Sequence, residues 1–254
     1  MKKFVVLTTQ RSGSVALIQS LSSHPDIVCF GEIFLKGATY ARHMSVPPGR
    51  SNFLYEEYIR ESLAKRVRAL LAPKASVRDF LETFYGRQED KRAAGFKLMY
   101  SQIANHRGAL DWILRHDVGI IHLVREDALR VILSRHTRVK TGVAHSAAKI
   151  DAASLRLDPA ELVRQLDARE KNVKRFRELL TDQPDSIEIR YEHYLENRPS
   201  ENRRILQFLG VSPDIELVSG VVKQATRPLR EVIENYDEVL AAVRGTPHMK
   251  FFDG

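Results

Sequence analysis

The chain of 254 residues has one cysteine, Cys29, and no long apolar run. A single thiol cannot form an intrachain disulfide and, without partner ligands, cannot anchor a zinc site, so we expect a reducing compartment with Cys29 in the core. No run approaches the ~20 apolar residues that span a bilayer, and Phe4–Leu7 is too short for the hydrophobic region of a signal peptide. These absences predict a cytoplasmic protein without stable membrane insertion.

The net charge of the chain is the first indication of what it binds. Lysine and arginine number 40 against 32 acidic residues, which gives a net charge of +8. Such a balance favours an anionic partner: a nucleotide ligand, a nucleic acid or an acidic membrane surface. A nucleic-acid-binding module is one alternative, but the basic residues are spread over many helices and no aromatic residues alternate with them to stack bases.

Short β-branched runs alternate along the chain with longer amphipathic stretches. This alternation predicts an α/β fold of three layers, α/β/α, with a mainly parallel sheet covered by helices on both faces. The length fits a single domain over residues 1–254, with two domains as the alternative. The predicted strands are FVVLTT (4–9), DIVCFGE (26–32), GFKLM (95–99), GIIHLV (119–124) and SIEIR (186–190).

Two helices carry end signals. Asp158 is placed to cap a helix that starts at Pro159, and Glu161 stands three residues after the cap, as in a capping box. A later helix is predicted to end at Gly210 in a left-handed cap, with Pro213 beyond it.

A helical insertion of about residues 36–92 separates the second and third predicted strands. One stretch in it places apolar residues at helical spacing opposite basic ones. We interpret it as a helix packed on its own core with a solvated charged face; a helix lying on a membrane surface is the alternative. The apolar set is Leu54, Tyr58, Leu63, Val67 and Leu70, and the basic set is Arg60, Lys65, Arg66 and Arg68.

The turn after the first strand reads TTQRSGS and leads into a helical pattern. A turn from a strand end into a helix N-terminus gathers backbone N–H groups and the positive end of the helix dipole, which suits a phosphate or sulfate. Gly13 permits close approach, Ser12 and Ser14 add hydroxyls, and Arg11 adds a fixed charge that can reach two oxygens. We therefore predict an anion cradle.

A P-loop kinase is the main alternative function. ATP and GTP sites use the pattern G-x-x-x-x-G-K-[ST], of which this turn keeps Gly13 and Ser14 but has Thr8 for the first glycine and no lysine. Such sites also hold Mg²⁺ through a carboxylate at another strand end. Here the strand GIIHLV is followed first by Arg125, although Asp127 remains a possible metal ligand.

A second strand, loop and helix carry further basic residues. Arg125 stands at the strand end, and Ser134 lies on the following helix with Arg130, Arg135 and Arg138. Two anion-binding elements on one sheet indicate a ligand with phosphates at two separate places.

These motifs resemble those of the sulfotransferases that use 3′-phosphoadenosine 5′-phosphosulfate (PAPS), whose fold is P-loop NTPase-like. In that family a [KR]-S-G-[ST] turn holds the 5′-phosphosulfate, and it matches residues 11–14. A later arginine and serine hold the 3′-phosphate, and they match Arg125 and Ser134. The spacing between the two is nine residues, one more than in the cytosolic animal enzymes, where Leu133 would take the serine's place.

The segment FGEIF is similar to one in bacterial carbohydrate sulfotransferases, where a glutamate, here Glu32, is the proposed base. The resemblance implies in-line transfer of a sulfuryl group to a hydroxyl acceptor, a carbohydrate or glycolipid, without a metal. Arg11 would stabilise the leaving group, and Lys97 would contact the sulfonate or the acceptor. Arg227 and Lys223 are candidate phosphate contacts, His106 and His145 alternative bases, and Tyr40, Arg42, His43, Tyr55 and Tyr58 candidate acceptor contacts.

Overall fold

The structure, a computed structural model, describes residues 1–35, 46–51, 53–106, 108–141, 154–220 and 227–252. It divides the chain into two compact units. The first comprises Met1–Val124 with Gln183–Gly220, and the second comprises Arg125–Asp182 with Val221–Gly254. The single domain over residues 1–254 stays a prediction, and each unit is described by itself.

The first unit contains a five-stranded sheet in the order β2-β3-β1-β4-β5. Every adjacent pair of these strands is parallel. The predicted strands and the parallel sheet are confirmed, with strand ends shifted by at most two residues. The strands are β1 (Lys2–Thr8), β2 (Ile27–Phe30), β3 (Ala93–Met99), β4 (Val118–Val124) and β5 (Ser186–Arg190).

Helices of the first unit cover both faces of this sheet. They are α1 (Ser14–Ser22), α2 (Tyr55–Arg60), α3 (Leu63–Leu71), α4 (Pro73–Gly86), α5 (Tyr100–Asn105), α6 (Ala109–Arg115), α9 (Tyr191–Glu196) and α10 (Arg198–Phe208). The helices of the second unit are α7 (Ala128–Thr141), α8 (Pro159–Leu180), α11 (Leu229–Val232), α12 (Tyr236–Val243) and a 3₁₀ turn at Pro247–Phe251.

One face of the sheet packs on α1 and α10. Side chains alternate between faces along a strand, so Phe4 and Val6 of β1 point the same way. Both belong to a buried cluster with Leu17 and Ile18 of α1 and Leu206 of α10. Apolar residues at helical spacing on α1 therefore fix this helix against the middle of the sheet.

The opposite face is aromatic. Phe30 of β2 and Phe96 of β3 both contact Phe84 of α4, with ring centroids 5.2 and 5.3 Å apart. Tyr85 stacks on Trp112 of α6 and donates a hydrogen bond from its hydroxyl to the Phe4 carbonyl, 2.9 Å away. The insertion thus supplies α4 as a layer of the fold.

The amphipathic stretch of the insertion forms two helices, α2 and α3, where the sequence indicated one. Ser62 starts α3 because its hydroxyl accepts a hydrogen bond from the Lys65 N–H, at 3.2 Å. Leu54 and Tyr58 are buried as predicted, but Leu63, Val67 and Leu70 are exposed. The prediction that α3 packs these apolar residues on a core is therefore wrong.

The second unit has its own apolar core. Leu129 and Leu133 of α7 pack in one cluster with Leu166 of α8 and Val239 of α12. An isolated parallel bridge joins Leu155 to Ile233. This cluster is what positions the arginines and Ser134 of α7.

The predicted helix ends are present. The Asp158 carboxylate accepts the Glu161 N–H at 3.0 Å and caps α8, while the Glu161 carboxylate bonds Arg164 and Gln165 instead of completing a capping box. Gly210 adopts φ +68° after α10, and its N–H bonds the Gln207 carbonyl. Among the helices described, none is both long and apolar enough to cross a membrane.

The environment of Cys29 predicts an unreactive thiol. Cys29 is fully buried in β2, and burial raises the pKa of its thiol far above the ordinary value. The thiolate is the reactive form, so alkylation of the native protein at pH 8 should be no faster than unfolding. Labelling with iodoacetamide followed by mass spectrometry measures this rate, and the urea-unfolded chain, which should take up one equivalent, is the control. Native labelling at the rate of a free thiol would contradict the buried placement.

Candidate active site

The turn between β1 and α1 has an unusual backbone. Gly13 adopts φ +80° at the N-cap of α1, and Arg11 adopts φ +61°. Arg11 is the one non-glycine residue with positive φ in the described part of the chain. A side chain in this left-handed region costs about 1–2 kcal/mol, so the rest of the fold must hold the turn in place.

An aromatic ring holds the turn at Gly13. A Cβ built on Gly13 would lie 2.0 Å from Cε2 and 2.5 Å from Cδ2 of Tyr191, the first residue of α9. The ring therefore occupies the space that any other side chain would need. Gly13 is required twice, once by its φ angle and once by Tyr191.

Hydroxyl groups tie the same turn to the sheet. Ser12 Oγ lies 2.6 Å from Thr8 Oγ1 and donates to the Thr9 carbonyl at 2.9 Å. Thr8 Oγ1 donates to the Leu123 carbonyl of β4 at 2.7 Å. Ser12 is fully buried, so the structure places its hydroxyl inside the turn rather than at its surface.

The start of α1 is chemically suited to an anion. The first N–H groups of a helix have no partner within the helix, and the helix dipole makes that end positive. Gly13 is the N-cap residue, and no side chain there forms a hydrogen bond with these groups. Arg11 adds its guanidinium charge, and Ser14, which is buried, begins the helix. Phosphate or sulfate fits this donor set.

A buried ion pair lies on the neighbouring strands. Lys97 Nζ is 2.7 Å from Glu32 Oε1, and the two side chains are 9% and 6% exposed. Lys97 belongs to β3, and Glu32 follows β2 by two residues. The Lys97 N–H also donates to the Gly31 carbonyl at 3.1 Å, which fixes the loop that carries Glu32.

Gln102 completes this arrangement, and it was not predicted from the sequence. Its Nε2 donates to Glu32 Oε2 at 3.0 Å, and its Oε1 accepts the Met99 N–H at 3.0 Å. Both carboxylate oxygens of Glu32 therefore have a donor. The sequence signal for Gln102 was weak: a polar residue three positions after the end of β3, on a helix of only six residues.

The strand register relates the turn to the ion pair. Lys97 of β3 lies opposite Val6 of β1, so its side chain points to the face that α1 covers. Both Lys97 and Glu32 stand near the carboxyl ends of their strands, as does the turn after Thr8. The cradle and the buried pair therefore share one edge and one face of the sheet, where open α/β sheets bind ligands.

A second polar group lies on the other face. His122 of β4 is buried; its Nε2 hydrogen bonds the Tyr100 hydroxyl, and its Nδ1 lies 3.2 Å from Glu188 Oε2. Both ring nitrogens of His122 therefore have a partner. Glu188 lies opposite His122 on the neighbouring strand β5. Paired residues of parallel strands point to the same face of the sheet, so the strand patterns alone could have indicated this contact.

In the second unit, Arg125 precedes α7. Its carbonyl accepts a hydrogen bond from Arg169 at 2.8 Å. The pKa of Arg130 is lowered chiefly by burial and also by the neighbouring Arg125 charge, while Asp127 opposes the shift. Asp127 caps α7, since its carboxylate accepts the Arg130 N–H at 2.8 Å. The start of α7 thus carries two arginines together with a carboxylate that partly balances their charge.

The side chains on α7 distinguish Ser134 from its neighbour. Leu133 is buried in the core of the second unit, whereas Ser134 is half-buried. Of the two candidate positions, Ser134, the predicted one, therefore has its side chain outside the core of the second unit. Arg227, also predicted to contact phosphate, is half-buried and ion-paired with Glu231 at 3.2 Å.

The remaining predicted residues have mixed placements. His24, which follows α1, accepts the Asp26 N–H through Nδ1 and bonds the Ser212 carbonyl through Nε2. His106 is half-buried against Phe34, and burial lowers its pKa. Tyr55 and Tyr58 are buried in the aromatic cluster around α4. Outside the described residues lie Tyr40, Arg42, His43, His145 and Lys223.

Gly13→Ala tests the packing of Tyr191. Gly210→Ala is the matched control because Gly210 has φ +68° and nothing within 4 Å of an added Cβ. Both variants carry the left-handed cost of about 1–2 kcal/mol, and only Gly13→Ala adds overpacking of about 1–3 kcal/mol. Urea denaturation measures the difference in unfolding free energy. Equal losses in the two variants would mean that Tyr191 does not constrain the turn.

A double-mutant cycle tests the buried pair. Lys97→Met or Glu32→Gln alone should lower the unfolding free energy by about 3–5 kcal/mol, because each leaves its partner buried without its counter-charge. The double variant should cost clearly less than the sum of the two. The exposed Lys74–Asp111 pair, 3.1 Å apart, is the control and should show a coupling below about 1 kcal/mol. Additive losses at Lys97 and Glu32 would rule out the ion pair.

The comparison with protein families agrees with the motifs. The model of the Sulfotransferase family matches residues 4–214. A sulfotransferase from Alicyclobacillus acidocaldarius is similar in structure, with 16% identity, a TM-score of 0.49 and coverage of 98% of this chain and 94% of that one. The sulfotransferase domain of the Synechococcus PCC 7002 olefin synthase has 18% identity, a TM-score of 0.48 and coverage of 96% and 88%. No curated protein gave a significant match. The family match spans most of the chain, and the protein therefore belongs to the Sulfotransferase family.

Proposed function

We propose that this sulfotransferase moves the sulfuryl group of PAPS to a hydroxyl of a carbohydrate or glycolipid. The observation that carries the proposal is the shared edge and face of the sheet on which the β1–α1 turn and the Lys97–Glu32 pair lie. One element supplies anion contacts and the other supplies a carboxylate and a cation, as a transfer between two oxygens requires.

In this proposal the β1–α1 turn holds the 5′-phosphosulfate. The main chain at Gly13 and Ser14 faces the anion, and the Arg11 guanidinium stabilises the charge that develops on the departing phosphate. Ser12 contributes through the main chain, because its hydroxyl bonds Thr8 and Thr9. The left-handed conformation of Gly13 at the N-cap of α1 leaves the first N–H groups of the helix for a phosphate oxygen.

We assign the 3′-phosphate to Arg125 and Ser134 on the sequence motif. The half-buried position of Ser134, beside a buried Leu133, supports the serine over the alternative position. Arg227 is a further candidate, and it would have to exchange its ion pair with Glu231 for the phosphate.

The chemistry at the acceptor follows from the buried pair. The bond between sulfur and the phosphate oxygen breaks, a bond between sulfur and the acceptor oxygen forms, and the acceptor proton must leave. We assign that proton to Glu32 and the sulfonate contact to Lys97. Gln102 positions Glu32 by donating to its second oxygen, so the first can turn from Lys97 to the acceptor.

Nucleotide binding tests the donor site. PAP at about one hundred times its Kd should raise the melting temperature by roughly 5–10 °C, and Mg·ATP should not. Arg11→Ala should weaken PAP binding roughly tenfold or more, since it removes charged hydrogen bonds. Arg115→Ala, an exposed arginine on α6, is the control and should leave binding unchanged. Stabilisation by Mg·ATP without PAP would favour the kinase alternative.

Transfer of ³⁵S from labelled PAPS to a panel of sugars, glycolipids and phenols identifies the class of acceptor. The same assay, run on variants of Glu32, tests the assignment of the general base. Glu32→Gln should keep the PAP shift and lose turnover by about 10²–10⁴-fold. Glu89→Gln, an exposed carboxylate on the same unit, should transfer normally. Turnover of Glu32→Gln near the wild-type rate would overturn the assignment and direct attention to His106.

A further inference from the structure

Three polar side chains are linked on the face of the sheet opposite to α1. The Tyr100 hydroxyl hydrogen bonds Nε2 of His122, and Nδ1 of His122 lies 3.2 Å from Glu188 Oε2. His122 is buried, and the other two residues are half-buried. An ionised carboxylate only accepts hydrogen bonds, so Nδ1 carries the proton of the neutral ring and Nε2 accepts from Tyr100. These three residues are called here the polar triad.

The packing of the sheet does not require a polar residue at position 122. His122 lies opposite Leu7 of β1, and Leu7 lies opposite Leu98 of β3, so its neighbours in the same row are leucines. A leucine at this position would continue the apolar row, and replacing both partners of a hydrogen bond by apolar groups of similar shape can be nearly neutral for stability. The triad is therefore better explained by the specific arrangement that its hydrogen bonds impose.

The triad holds the first residue of α5. Tyr100 follows β3 directly, and its hydroxyl reaches β4 past the end of β1, which lies between these two strands. The helix α5 has six residues, and of these described residues Gln102 alone is buried. A helix of six residues is not stable in isolation, so tertiary contacts decide where it lies. The hydrogen bond from Tyr100 to β4 is such a contact and fixes the N-terminal end of α5.

The rest of α5 holds the loop that carries Glu32. Gln102 donates to Glu32 Oε2 at 3.0 Å. His106, directly after the helix, packs its ring on that of Phe34, two residues after Glu32, with the ring centroids 4.6 Å apart. The helix α5 therefore lies between two anchors, the polar triad at its start and the Glu32 loop along its length.

We propose that Tyr100 and His122 are positioning residues for Glu32. The triad fixes the start of α5, and α5 in turn places Gln102 on the carboxylate of Glu32. A general base must lie within hydrogen-bonding reach of the proton it accepts, and a misplacement of about 1 Å can cost up to about 10²-fold in rate. The catalytic consequence rests on the proposed role of Glu32 as base, whereas the placement of Glu32 through α5 does not.

The double variant Tyr100→Phe, His122→Leu tests the proposal. It replaces both partners of the central hydrogen bond by apolar side chains, so the urea midpoint should stay near that of the wild type. The kcat of ³⁵S transfer from PAPS to the most active acceptor of the panel should fall roughly tenfold, while the KM for PAPS should stay within about twofold. Hydrogen exchange of residues 99–106, followed by mass spectrometry, should be faster than in the wild type. Tyr100→Phe alone should change kcat and exchange in the same direction.

Tyr85→Phe is the matched control. It removes another phenol hydroxyl of the first unit, which bonds the Phe4 carbonyl near the amino end of β1. The control should lower the urea midpoint because this buried hydrogen bond is lost, and it should keep kcat and the exchange of residues 99–106 within about twofold of the wild type. A kcat that followed stability instead, lower in the control than in the double variant, would mean a purely structural role and would overturn the proposal.

Three further outcomes decide the route of the effect. Wild-type kcat and exchange in the double variant would overturn the proposal, and so would a raised KM for PAPS at unchanged kcat, which would place the triad in donor binding. In a Gln102→Ala background the double variant should lower kcat by less than about twofold, and another tenfold loss there would show that the triad does not act through Gln102. Faster exchange of residues 99–106 together with wild-type turnover of Glu32→Gln would support the placement of Glu32 and count against the proposed base alone.

Discussion

The close contact between Tyr191 and Gly13 is the constraint on which the site depends. It excludes any side chain at Gly13, and the left-handed φ of +80° that Gly13 adopts at the N-cap of α1 is a second reason for glycine there. The strained φ of Arg11 belongs to the same turn, and the hydroxyls of Thr8 and Ser12 tie it to β4. Backbone strain of this kind persists only where the surroundings determine it, and such positions cluster at binding sites. The geometry of the turn is thus set by residues that need not touch a ligand.

The Lys97–Glu32 pair is a second feature of the site that stability alone does not explain. Two apolar side chains of similar size would stabilise this position at least as well, because a buried ion pair must offset the loss of hydration of both charges. A pair retained at the ligand-binding edge of a parallel sheet is better explained by chemistry than by stability. Gln102 strengthens that explanation, since it fixes one carboxylate oxygen and leaves the other to a lysine that can turn to an incoming anion. The side chains of Lys97, Glu32 and Gln102 therefore affect both the stability of the free protein and the chemistry proposed for the site.

Much of the fold was predictable because it follows from local patterns. The alternation of β-branched runs and amphipathic stretches predicted the parallel sheet, and Asp158 and Gly210 marked helix ends through their own backbone chemistry. Glu32, Lys97 and the turn at Gly13 were predicted as site residues, since each lies near the carboxyl end of a strand. Two contacts were not predictable. Tyr191 meets Gly13 across a sequence separation of 178 residues. The exposed side of α3 is decided by the contacts of this helix with Tyr58 and Asp79, which helical periodicity does not contain.

The central claim is that the turn around Gly13 is a phosphate site at the same edge of the sheet as the Lys97–Glu32 pair. A crystal structure with PAP bound tests it most directly. The account predicts the 5′-phosphate within hydrogen-bonding distance of the main-chain N–H groups at Gly13 and Ser14, with the Arg11 guanidinium directed at its oxygens. A 5′-phosphate bound away from this turn, or an Arg11 side chain directed away from it, would contradict the account.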